Sequence, residues 1–234
     1  MMHTTGFFET VEAVFHDWNY PYPKLLYALI RTIKPETVVE VGTYRGYAAA
    51  YMARAVQENN FGRVYCIDDF SLDDHRAKYG DPVLHWEGNL HKCGVLDWTK
   101  LLVGKSDSVE WPDKVDFAYI DGWHSYKAVY HDFNKCDNRG VNTIVFDDII
   151  SAVGPRQFVS ELIEVGDWNV LKIYEGNGLA ICTRKRVSPP VEFVQEFDTT
   201  PGLVIRGMGR ELASRYLDEV GRKTGIAYSK EELL

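Results

Sequence analysis

Cysteine is scarce in this chain. There are four in 234 residues (Cys66, Cys93, Cys136, Cys182), and no two are spaced C-x-x-C. Zinc-finger and thioredoxin-like readings therefore fail, and scattered thiols predict a reducing compartment. A run of roughly 18 apolar residues, the length of a membrane span, is missing too. So is a basic-then-apolar leader at the N-terminus, which predicts a cytoplasmic protein. Positive charge is in deficit: 26 Lys and Arg stand against 34 Asp and Glu, a net charge of −8. A chain this acidic is expected to bind neither nucleic acid nor an anionic membrane through a general field. Repeats and low-complexity tracts are absent. What remains is ordinary globular composition, 45% hydrophobic and 26% charged, long enough to bury a core unaided.

Apolar strand patterns alternate with helical ones. Strands are predicted at 37–41, 63–68, 100–103, 115–121 and 142–146, with helices at 25–33, 47–56, 125–136 and 155–165 between or before them. Strands at 168–174 and 179–184 flank Glu175-Gly176-Asn177-Gly178, a hairpin signal. This order predicts an α/β fold: a Rossmann-like, doubly wound, seven-stranded, mostly parallel sheet closed by an antiparallel hairpin. The expected domain covers 1–188. Residues 70–98 make a long connection, either a packed insertion or a lid over substrate, with 82–93 helical. The tail, 189–234, carries one amphipathic helix (Leu212, Tyr216, Leu217, Val220) that packs on this domain or on a partner subunit of a homo-oligomer.

Ligands of such sheets bind beyond the carboxyl ends of the strands. Acids cluster there: Glu40, Asp68, Asp121, Asp147 and Asp148. The turn after the first strand reads Gly42-Thr43-Tyr44-Arg45-Gly46. Its glycines let backbone approach a ligand. Its G-x-x-x-G spacing is not the dinucleotide fingerprint, and Glu40 beside it would repel phosphate and attract a cation. Asp68 stands where an acid holds ribose hydroxyls in these folds, or is a solvated strand-end residue.

Residues 39–54, VEVGTYRGYAAAYMAR, resemble the first motif of class I S-adenosylmethionine-dependent methyltransferases, and in detail the catechol O-methyltransferase group. Asp68 matches that family's ribose acid. Gly104-Lys105-Ser106, followed by Asp107, resembles its adenine loop. The segment 120–126, IDGWHSY, resembles its metal and catalytic loop and is closer still to macrocin-type sugar O-methyltransferases. Phe146-Asp147-Asp148 resembles the remaining metal ligands. The resemblance implies that Glu40, Gly42, Tyr44, Gly46, Asp68, Ser106, Asp107, Asp121 and Trp123 bind S-adenosylmethionine. Trp123 would lie along adenine, unless it is ordinary core, and Tyr44 along the methionine end.

Three convergent carboxylates repel one another unless a cation is present, and oxygen ligands suit a hard divalent ion, Mg²⁺ before Mn²⁺ or Ca²⁺. Asp121, Asp147 and Asp148 are the expected ligands. Neighbours in a strand face opposite ways, so Asp147 and Asp148 can share an ion only where the strand has broken; otherwise Asp148 caps a turn and Asp147 binds backbone. His124, near its ordinary pKa, suits a general base. Catechol enzymes have lysine at that place, so His124 turns the expectation toward a sugar or glycoside. The expected activity is metal-dependent O-methylation of a small-molecule hydroxyl. Metal-independent methyl or aminopropyl transfer, or a non-catalytic binding module, are the alternatives.

Overall fold

The computed structural model describes residues 4–17, 22–71 and 78–185. The expected tail, its helix and the domain boundary at 188 lie outside these residues, as does 72–77 of the insertion. β-Branched and aromatic runs form β1 (Thr37–Val41), β2 (Arg63–Asp68), β3 (Thr99–Val103), β4 (Phe117–Ile120), β5 (Thr143–Phe146), β6 (Trp168–Ile173) and β7 (Leu179–Arg184). The helices are α1 (Thr4–Val14), α2 (Pro23–Ile33), α3 (Tyr47–Asn59), α4 (Pro82–Lys92), α5 (Tyr126–Asp137) and α6 (Val153–Val165). The sequence did not signal α1.

The strands make one sheet ordered β3-β2-β1-β4-β5-β7-β6. β1 to β5 pair in parallel, and β7 runs antiparallel to both β5 and β6. This is the α/β sheet expected, with its antiparallel closing hairpin. The order reverses between β1 and β4, which opens a crevice above their carboxyl ends.

Alternation along each strand feeds a core on each face. Val38 packs with α1–α4 on one face, and Val39 with α5 and α6 on the other. Helix α4 begins at an Asp81 cap that accepts from the Val83 and Leu84 N–H groups. It buries Trp86 and Leu90, one helical turn apart, in the α1–α3 core. This half of the insertion is therefore built into the domain. No helix among the described residues is long and apolar enough to cross a membrane.

Candidate active site

Register places the acids. Glu40, Cys66 and Tyr119 sit side by side across β1, β2 and β4, so they share a face. Two residues further along each chain brings Asp68, the last residue of β2, and Asp121, just past β4, to the same face. Above them lies a cleft of about 820 Å³, lined by every expected donor-binding residue except Gly46 and Asp107.

Gly42 makes the floor thin. Its φ is +86°, and a Cβ there would lie 2.2 Å from the Asp121 carbonyl oxygen. Gly46 packs instead under Trp86, whose indole Nε1 would be 3.0 Å from a Cβ. That indole donates to Thr43 Oγ1 at 2.9 Å, and Asn89 Nδ2 donates to the Arg45 carbonyl at 3.1 Å, so α4 braces the turn. Tyr44 takes a positive φ of 48°. Its N–H donates to Asp68 Oδ2 at 2.7 Å, while Asp68 Oδ1 accepts from the Phe70 N–H at 2.7 Å. Asp68 is thereby fixed, and burial raises its pKa.

Glu40 is 1% exposed, and its Oε2 has no hydrogen-bond partner. Burial pushes its carboxyl up to about 8, against hydrogen bonds from Thr43 and Cys66. A buried acid left half-satisfied suits a cation in the cleft, whose charge would restore the carboxylate. Trp123 is not core: it lines the cleft 62% exposed. Its indole face is available to a flat ligand.

At the β4–β5 end, Asp121, His124 and Asp148 come together. They offer donor atoms that all lie within 4.8 Å of one another. His124 Nε2 is 2.9 Å from Asp148 Oδ2 and 3.8 Å from Asp121 Oδ1. These contacts raise His124 to about 10, Asp121 first and Asp148 second, despite opposing desolvation. Desolvation lifts Asp121 to about 6, with the His124 contact pulling the other way. Asp148 is desolvated too, but His124 and Ser151 hold it below the usual carboxylate range.

Asp147 stands apart from the other two expected ligands. Its Oδ2 meets the Tyr119 hydroxyl and its Oδ1 accepts from the Asp148 N–H at 2.7 Å. Burial pushes it up to about 8. The cause is alternation: Asp147 keeps the face of Val145 and Tyr119, which pair across β4 and β5. Asp148 leaves the strand at a φ of +58° and turns into the cleft. The strand does break, yet only Asp148 joins the cluster; the Tyr119 hydroxyl links Asp147 to Asp121 Oδ2, 3.2 Å away. Two carboxylates and an imidazole suit a divalent cation, while Asp147 is engaged by the Tyr119 hydroxyl and the Asp148 N–H.

Asp107 does not reach the cleft. It is exposed and accepts from Ser108 Oγ at 2.6 Å. Ser106 does line it. Among the lining residues missed from sequence are Tyr119, Asn177 and Asp132. Period-two spacing before Asp121 signalled Tyr119, and Ser125, Ala128 and Asp132 recur at helical spacing along one wall.

Residues 39–149 match a family described as "Methyltransferase domain". A curated relative, the uncharacterized protein y4gI of Sinorhizobium fredii, is 26% identical over 112 residues. The match covers 46% of this chain, and the chain spans 12% of that relative's length. The O-methyltransferase TomG of Streptomyces achromogenes, solved with S-adenosylmethionine, superposes with a TM-score of 0.58 at 17% identity, over 78% of this chain and 91% of its own. An O-methyltransferase of Bacillus cereus, solved with S-adenosylhomocysteine, gives 0.58 at 16% identity, over 79% and 93%. Residues 39–149, which match that family, hold every expected site residue from Glu40 to Asp148, and the sheet has the fold of these O-methyltransferase structures.

Proposed function

We propose that this protein transfers the methyl group of S-adenosylmethionine to a hydroxyl oxygen of a small molecule, a sugar or glycoside, with a divalent ion, Mg²⁺ first, at the acceptor. One observation carries the reading. The pair Asp121 and Asp148, with His124 between them, closes the same cleft whose floor holds Glu40, its Oε2 unpartnered, and the backbone-fixed Asp68. Glu40 and Asp121 would face the positively charged end of the donor, Asp68 its ribose hydroxyls and Trp123 its base. Asp121 and Asp148 would hold the ion, with Asp147 in reserve behind Tyr119. A bound divalent ion would offset those carboxylates and polarise the acceptor hydroxyl.

His124 keeps its proton at neutral pH while Asp121 and Asp148 press on it. An ion held by those carboxylates would offset their charge and let the His124 pKa fall toward the ordinary range, where Nε2 could accept the proton of the acceptor hydroxyl. Alignment of the sulfonium methyl with that oxygen supplies much of the rate. A second reading, favoured by the short contact of His124 with Asp148, makes His124 a metal ligand.

The test is methyl transfer from labelled S-adenosylmethionine to a panel of sugars and glycosides, with Mg²⁺ or with chelator. Asp121→Ala is expected to abolish metal-dependent turnover. His124→Gln is expected to lower kcat about a hundredfold or more at unchanged metal affinity, as loss of a general base does; a loss of metal affinity selects the ligand role. Full activity in chelator removes the metal and leaves a metal-independent transferase. Absence of S-adenosylhomocysteine binding by calorimetry removes the donor.

A further inference from the structure

The cleft has a second end, away from Asp148. There Gly104 and Ser106, in the loop after β3, face Ala128 and Asp132 on α5. The loop is held in place: Trp111 Nε1 donates to the Ser106 carbonyl at 2.8 Å. Asp132 is 1% exposed, yet its Oδ1 has no hydrogen-bond partner. The Ser106 hydroxyl hydrogen-bonds the same carboxyl. A carboxylate oxygen taken out of water and left unpaired is costly, and protein interiors rarely keep one without a use. Burial lifts this acid to about 6, opposed by Ser106, so it is largely ionised at neutral pH and acts as an acceptor.

An elongated donor with its sulfonium near Glu40 and Asp121, and its ribose over Asp68, has its base left at this end. Adenine carries an exocyclic amine there, a pure hydrogen-bond donor. Asp107 does not compete, being turned to Ser108 outside the cleft. We infer that Asp132 is a specificity-determining residue whose Oδ1 accepts from the exocyclic amine of the donor's adenine. This rests on the S-adenosylmethionine reading. Replacing the amine with a carbonyl, as in the inosine analogue, sets oxygen against oxygen and leaves the acid unpaired.

Calorimetry of the full chain with S-adenosylhomocysteine and with S-inosylhomocysteine tests it. The wild-type protein is expected to prefer the adenosine compound by about tenfold or more, the range of a hydrogen bond to a charged group. In Asp132→Asn, whose amide can turn an N–H toward a carbonyl, that ratio is expected to collapse toward one. The ratio is internal to each protein, so a general loss of stability does not mimic the effect. Equal binding of both compounds by the wild-type protein overturns the inference without any variant. An undiminished ratio in Asp132→Asn overturns it as well. A wild-type protein that binds neither compound defeats the donor reading, and this inference with it.

Discussion

Glu40 is held in a state that serves a ligand better than the empty fold. Burial keeps its carboxyl protonated up to about 8, against an ordinary value of 4.5. An unfolded chain releases that proton from about 4.5 upward, whereas the folded one retains it. The folded state then binds more protons than the unfolded, so stability falls as pH rises across that window. Glu40→Gln removes the liability. The ligand-free variant is expected to melt above the wild-type protein at about pH 8, with the gap closing toward about pH 5 in thermal unfolding. The same change is expected to weaken S-adenosylhomocysteine by about tenfold or more, the loss of one charged contact. A variant that melts no higher at pH 8 removes the argument.

At the scale of elements, α4 holds the donor turn in shape without lining the cleft. Trp86 fills the space beneath Gly46 and donates to Thr43. Trp86→Ala is expected to cost about 3–5 kcal/mol in denaturant unfolding, as truncation of a buried aromatic does. It is also expected to weaken donor binding, although the indole does not line the cleft; unchanged affinity in the folded variant counts against the brace. This element also marks how far the sequence could be read. The strands were legible because β-branched runs between turn residues have few alternatives, and the closing hairpin because Gly176 and Gly178 punctuate it. A helix over 82–93 was expected and forms at Pro82–Lys92, but its docking on Gly46 depends on tertiary packing and was not legible. The acids at the strand ends were legible one by one. That Asp147 faces Tyr119 while Asp148 faces His124 was not, since one positive φ after β5 decides it. Asp132 lay on a legible helix face, but the unpartnered state of its Oδ1 is a property of the packed protein.

At the scale of the molecule, a chain of net charge −8 gathers Glu40, Asp68, Asp121 and Asp148 around one crevice. Asp121 and Asp148, held close together with only His124 between them, are eased further when a divalent cation joins them. Millimolar Mg²⁺ is expected to raise the melting temperature of the wild-type protein near pH 7.5 by mass action on the folded form. Asp148→Asn is expected to lose that rise. A wild-type melting temperature indifferent to Mg²⁺ and Mn²⁺ would show that the carboxylates serve the organic cation alone.

Tyr22, just ahead of α2, meets the turn between β6 and β7: its hydroxyl donates to the Glu175 carbonyl and accepts from the Gly178 N–H at 3.0 Å. That turn in turn receives the Ile150 N–H on the Asn177 carbonyl at 2.8 Å, bracing the loop that carries Asp148. The ribosome therefore releases all of the acids before it releases the strut that seats the last of them. A nascent chain ending ahead of Glu175 carries every acid of the crevice but lacks Asn177 and the contacts that join Tyr22 and the Asp148 loop to the closing hairpin, so the site is completed late in synthesis.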